Sequence, residues 1–196
     1  MFDLDPSQFQ TNRLLAALPA EDYQRILPSL EAIPFQVKDY LYQRDQPIEY
    51  VYFPLSGMAS ILVVLDDDTY IEAGIAGSEG MVGLPVFFGA ETAPTVSFYQ
   101  VPGIAVRMRS DHFRAEIERN GALAPILRGY AQAHFTMLSQ NVACNSQHTI
   151  EQRCARWLLF THDRMVKNEF LLTQEFLSQM LGVRRAGDQQ ERAHHQ

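Results

Sequence analysis

The side chains of this sequence that could carry chemistry are few. Arg184 and Arg185 follow Gly182 just after Leu177, Met180 and Leu181 at helical spacing, so two cations stand beyond what reads as the front of a helix-turn-helix. Guanidinium groups in such a place can meet phosphates or guanine edges, although taken by themselves the two arginines read as solvated surface charge. Cys144 and Cys154 lack any CxxC or Cys/His spacing and read as two buried thiols. His194 and His195, adjacent in a polar tail, read as solvated groups and not as metal ligands. No His falls within residues 33–110, which removes a cupin-type metal centre on strands. No nucleophile–His–carboxylate spacing and no GxxxxGK phosphate loop occurs. The expectation is a protein that is not an enzyme, with no catalytic residue, no metal and no cofactor.

The elements that must position the arginines belong to a chain of 196 residues, 46% hydrophobic, with a formal net charge of −7. That is enough apolar content for one or two domains with real cores. No apolar run approaches the roughly 20 residues that span a bilayer. The start MFDLDPSQFQ is acidic where a secretory signal is basic, so a cytoplasmic protein without membrane contact is expected. Residues 1–150 hold 9 Lys/Arg and 17 Asp/Glu, whereas residues 151–196 hold 7 and 6. An acidic front argues against nonspecific nucleic-acid binding over the whole surface and leaves room for a DNA-facing element at the C-terminal end.

Residues 12–32 carry Leu14, Leu15, Leu18, Tyr23, Ile26, Leu27 and Leu30 at helical spacings, with Pro19 dividing two short helices. From 33 to 110 the period becomes two. VYFPLSG, MASILVVL, a turn at Asp66-Asp67-Asp68, TYIEAGI, TVSFYQV and IAVRMR predict short strands in a small antiparallel roll. In the last of these, Ile104, Val106 and Met108 face one way, and Ala105, Arg107 and Arg109 the other.

Ser110-Asp111 begins a helical region, in which Leu123, Leu127, Tyr130, His134, Met137, Asn141, Cys144 and His148 alternate steps of four and three. Such a heptad stripe predicts pairing with a second copy of the helix, with Asn141 setting register, while Ile126, Leu138 and Val142 face the chain's own roll. The other expectation is that the stripe packs within one chain. Thr149 can cap the next helix, IEQRCARWLLFTHDRM; EFLLT reads as a strand, and Thr173 caps QEFLSQMLG.

A roll, a long seam helix and a C-terminal helix-turn-helix in this order resemble the Crp/Fnr family of bacterial transcription regulators. PLSGMASILVV is similar to the family's strand-Gly-strand entry into the roll, and GMVGLPVFFG to the start of its phosphate-binding cassette. HTIEQRCARWLL is similar to the helix after the dimer seam, and LTQEFLSQMLGVRR to the helix-turn-helix opening. The resemblance covers residues 12–186. It implies an α+β fold: an antiparallel, cyclic-nucleotide-binding-like β-roll of jelly-roll type with its helical lead-in over 1–110, a dimerisation helix region over 111–148, and a partial winged helix-turn-helix over 149–196.

Family members that bind cyclic AMP use a Gly-Glu pair on the ribose and an Arg-Ser or Arg-Thr pair on the phosphate. The matching pairs here are Gly83-Leu84 and Pro94-Thr95. Two charge-assisted contacts worth roughly 1.5–3 kcal/mol each are thereby missing. The resemblance therefore leaves two expectations, a vestigial pocket or one shaped for a less charged small-molecule effector that is not cyclic AMP bound in the family manner, with Ser139 where the seam helix can meet it. The family's oxygen sensor uses N-terminal cysteines, and residues 1–40 contain none.

By position, Arg185 matches the family's base-reading arginine, Arg184 its neighbour, and Gln174 a position near the DNA backbone. The homodimer seam runs through Leu127, Tyr130, His134, Met137 and Asn141. After Ala186 the resemblance stops: GDQQERAHHQ, the atypical tail 187–196, offers Ala193 alone for the apolar face of a recognition helix and reads as a non-native ending, from a frameshift, a premature stop or an artificial chain boundary. A Crp/Fnr-like regulator with weak or lost DNA binding is the expectation. The alternative is a dimerising sensor or interaction module that does not touch DNA.

Overall fold

The computed structural model describes residues 4–66 and 69–164, together with Leu177, Met180 and Leu181. A 3-10 turn, Pro6–Thr11, leads into α1 (Arg13–Ala16) and α2 (Ala20–Ile26), separated at Pro19 as the spacing predicts. Asn12 starts α1 and ties it to the rest. Its Oδ1 accepts from the backbone N–H of Leu14 and Leu15 at 3.0 and 3.3 Å, and its Nδ2 donates to the carbonyls of Pro54 and Gly80 at 3.0 and 2.8 Å. One fully buried amide thus caps a helix and fixes where it lies.

The strands are β1 (Glu31–Phe35), β2 (Tyr40–Tyr42), β3 (Tyr50–Pro54), β4 (Met58–Val64), β5 (Tyr70–Ala76), β6 (Thr95–Val101) and β7 (Gly103–Arg109). They form two antiparallel sheets, ordered β1-β7-β3 and β2-β6-β4-β5. The antiparallel roll is as expected, and β3 to β7 fall on the predicted segments. β1 begins two residues inside the stretch read as helical lead-in. Its Pro34 has no N–H to donate, which an edge strand tolerates. β7 keeps its alternation at Val106 and Met108 against Arg107 and Arg109, while Ala105 is buried as well, in the central strand of its sheet.

The helices are α3 (Leu84–Phe87), α4 (Ser110–Glu118), α5 (Leu123–Gln147) and α6 (Ile150–His162). Thr149 caps α6 as expected, in a reciprocal pair with Gln152. β6 is buried over five consecutive residues, Val96 to Gln100, because its sheet is covered on both faces. One face joins the main core with Val51, Phe53, Phe113 and Leu127. On the other, Leu62, Val96 and Phe98 pack with Trp157, Met180 and Leu181. Full burial of such side chains is worth about 1.5–3 kcal/mol each, so this second cluster holds the C-terminal part against the sheet by several kcal/mol.

Asp67 and Asp68 of the acidic turn, the EFLLT segment, most of QEFLSQMLG and the tail 187–196 lie outside the described residues. Among the described residues, no helix is long and apolar enough to cross a membrane.

Candidate functional site

α5 meets the roll along the stripe that the heptad spacing singles out. Leu127 is fully buried, and the Tyr130 hydroxyl donates to the Met81 carbonyl at 3.1 Å. Gly80 makes room for that ring: a Cβ there would stand 2.5 Å from Tyr130 Cε2. His134 lies over Gly74 of β5, and Asn141 Nδ2 donates to the Ala73 carbonyl at 2.8 Å. These four side chains follow the expectation of packing within one chain, and Met137 is half-buried beside them. The expected division of labour is exchanged on one point. Val142, expected against the roll, is 70% exposed, and Phe135 is 65% exposed. Heptad spacing selects a face without saying what covers it, and Ala131, Phe135, Leu138 and Val142 form a second stripe of the same spacing.

In the cassette, Gly83 adopts φ 96° at the start of α3, a left-handed conformation that suits glycine. Leu84 packs against the main core, Pro94 is exposed, and the Thr95 hydroxyl pairs with Tyr42 at 3.1 Å. None of the four carries a charge. Ser139 is exposed, and its hydroxyl donates to the Phe135 carbonyl one turn back at 3.0 Å. Gln174, Arg184 and Arg185 lie outside the described residues.

Two features were not foreseen from the sequence. The first joins the roll to α6. Trp157 Nε1 donates to Glu72 Oε1 at 3.0 Å, and Ser60 Oγ meets Glu72 Oε2 at 2.7 Å while also contacting Gln100 Oε1. The Glu72 residue is half-buried, its carboxyl end enclosed by these partners. Burial pushes the carboxyl up to about 7, against the lowering effect of the Ser60 and Trp157 hydrogen bonds and of Arg164. A cavity of about 50 Å³ adjoins it between Arg153, Trp157, Met180 and Leu181. Arg153 donates to the Leu181 carbonyl, while its Nε is buried without a partner among the described residues.

The second is a cavity of about 710 Å³ bounded by Arg13 of α1, Ile75 of β5, Tyr130 and Met137 of α5, and Arg156 and Phe160 of α6. Glu79, His134 and Arg164 also line it. Arg164 Nε binds Glu79 Oε1 at 2.6 Å, and one of its terminal nitrogens donates to the Phe160 carbonyl at 3.0 Å. The Arg156 guanidinium sits 4.6 Å over the Phe160 ring. Burial holds the His134 imidazole below its ordinary value, hence neutral. Among the described residues no group of His, Cys, Asp and Glu is arranged to hold a metal ion. The sequence signal for this cavity was slight: arginines far apart in the chain, each ordinary where it stands.

No protein-family model and no curated protein sequence matches this chain. Solved structures do. A protein described as a Crp/Fnr-family transcriptional regulator from Eubacterium rectale superposes with a TM-score of 0.74 at 14% identity, over 92% of this chain and 85% of that one. The c-di-GMP-responsive global regulator CLP of Xanthomonas campestris gives 0.65 at 16% identity, over 90% and 92%. A regulatory subunit of a cAMP-independent protein kinase A from Trypanosoma brucei gives 0.55 at 19%, over 64% and 46%. Across such low identities it is architecture that is shared: the chain has the α+β fold of Crp/Fnr regulators, a cyclic-nucleotide-binding-like roll followed by a long helix.

Proposed function

We propose that this protein is a dimeric, cytoplasmic, non-enzymatic Crp/Fnr-like transcription regulator whose roll senses a small molecule and whose C-terminal segment meets DNA. The observation that carries this reading is the contact of Trp157, Met180 and Leu181 with the outer face of the four-stranded sheet. The segment with the helix-turn-helix pattern touches the sensing roll, so a ligand that prefers one arrangement biases the other.

The ligand is not cyclic AMP held in the family manner, since Leu84 and Pro94 bring neither carboxylate nor guanidinium. A roll of this fold in a kinase subunit described as cAMP-independent fits that view. The second copy meets Phe135 and Val142, the exposed members of a stripe of α5 whose Ala131 and Leu138 are half-buried. Gln174, Arg184 and Arg185 face DNA, as their positions imply. Because residues 187–196 offer Ala193 as their apolar side chain, specificity is weak. The same polar segment favours the second reading, a dimerising sensor that does not touch DNA.

Fluorescence anisotropy with duplexes enriched from a random library tests both readings. Binding that ignores sequence, falls steeply between 50 and 200 mM salt and weakens on Arg184→Gln with Arg185→Gln is expected. Nanomolar sequence-specific binding in physiological salt overturns the weakness, and no binding at any salt leaves the sensor alone. Calorimetry with cyclic AMP should show no micromolar site.

A further inference from the structure

We propose that the 710 Å³ cavity between α1, β5, α5 and α6 is a binding site for a small organic anion, an acidic head group on a flat apolar body. The volume falls in the range of about 300–1,000 Å³ that small-molecule sites occupy. Its walls have two characters. Ile75, Met137 and Phe160 supply apolar surface, and three guanidinium groups, Arg13, Arg156 and Arg164, supply positive charge.

The charge is not used up among the described residues. Arg164 is paired with Glu79, but neither Arg13 nor Arg156 lies within ion-pair distance of a carboxylate among the described residues. Two uncommitted cations in one cavity of a protein with net charge −7 are a local reversal of its field, which draws and holds anions. Phe160, already faced by Arg156, offers a ring edge against which a planar ligand can lie. His134 and Tyr130 close the inner wall, and the His134 imidazole is neutral there, ready to gain a proton when an anion arrives.

The site is compatible with a paired α5. Gly129, Ala133, Thr136 and Gln140 line it, whereas Phe135 and Val142 lie on the exposed stripe. At about 100° per residue the two sets are roughly 140° apart around the helix, so a second copy on one flank leaves the cavity open on the other. A ligand here touches α6 through Arg156 and Phe160, one residue and three residues from Trp157. The regulatory meaning of the site rests on the proposed sensing function; binding itself does not.

The test uses the purified full chain without DNA, so that failure to regulate and failure to bind are separate results. The probe is 8-anilinonaphthalene-1-sulfonate, an arylsulfonate, titrated by its fluorescence beside its uncharged analogue N-phenyl-1-naphthylamine. The sulfonate should bind tenfold or more tightly than the analogue. Arg13→Gln with Arg156→Gln should weaken it at least tenfold, while Arg13→Lys with Arg156→Lys restores most of the loss. Phenyl phosphate and benzoate should both displace it, the better competitor showing which head group the site favours. NMR of the His134 imidazole adds a readout that a change in stability would not mimic, since saturation with the probe should raise its pKa by about one unit. Equal affinity in the double Gln variant, or an unmoved His134, overturns the proposal.

Discussion

Replacing Glu72 with Gln keeps the size and the acceptor of the side chain at the contact between β5 and α6 but removes its titration. In the native chain the carboxyl is raised from the ordinary value of 4.5 to about 7 by burial. The folded, docked arrangement therefore binds a proton more tightly than the open chain does, and docking is strongest below about pH 4.5. It weakens as pH rises through 7, where the carboxyl must ionise among Ser60, Trp157 and Gln100. At about 1.4 kcal/mol per pH unit the shift corresponds to at most about 3.5 kcal/mol. Partial exposure of the residue reduces this to about 2 kcal/mol. Trp157, the one tryptophan of the chain, donates to Glu72 and reports the event directly. Its fluorescence should change with a midpoint near pH 7 in the native chain and stay flat over that range in Glu72→Gln. In urea at pH 8 the variant should be more stable by about 2 kcal/mol, and at pH 4.5 the two should agree. Parallel pH profiles for the two proteins would refute the assignment.

Asn12→Ala removes two cap hydrogen bonds and leaves the Pro54 and Gly80 carbonyls without their donor, which should cost about 3 kcal/mol. Thermal unfolding should show it as a fall in Tm of roughly 6–12 °C. Gly80→Ala drives a methyl into the Tyr130 ring and should lose about 2 kcal/mol in a denaturant titration, of which Tyr130→Ala in the same chain recovers a part. Phe135→Asp should leave the melting temperature within a few degrees yet weaken the dimer about 100-fold or more in sedimentation, whereas Tyr130→Phe, which gives up the bond to Met81, should leave the dimer intact and cost about 1 kcal/mol.

Local rules made much of this fold legible in its sequence. The period-two segments of β3 to β7, the break at Pro19 and the Thr149 cap depend on residues within a few positions of one another, where propensity and hydrogen-bonding geometry act directly. The edge strand β1 escaped because Pro34 and five residues give the period too little length to show.

Contacts between distant segments were a different matter. The spacing of Leu127, Tyr130, His134 and Asn141 established a buried stripe on α5, but only the approach of β5 decided that the roll covers it and that Phe135 and Val142 are left outside. Nothing in TYIEAGI sets Glu72 apart from other strand carboxylates. This carboxyl became a group titrating near neutrality when Trp157, 85 residues away, closed over it. Arg13, Arg156 and Arg164 likewise share one cavity only because α1 and α6 come to lie on the same side of α5. Hydrophobic period is a property of one element and survives in its sequence. The dielectric around a carboxyl, the partner of a helix face and the sum of charges in a cavity belong to pairs of elements, and so were set by the tertiary arrangement.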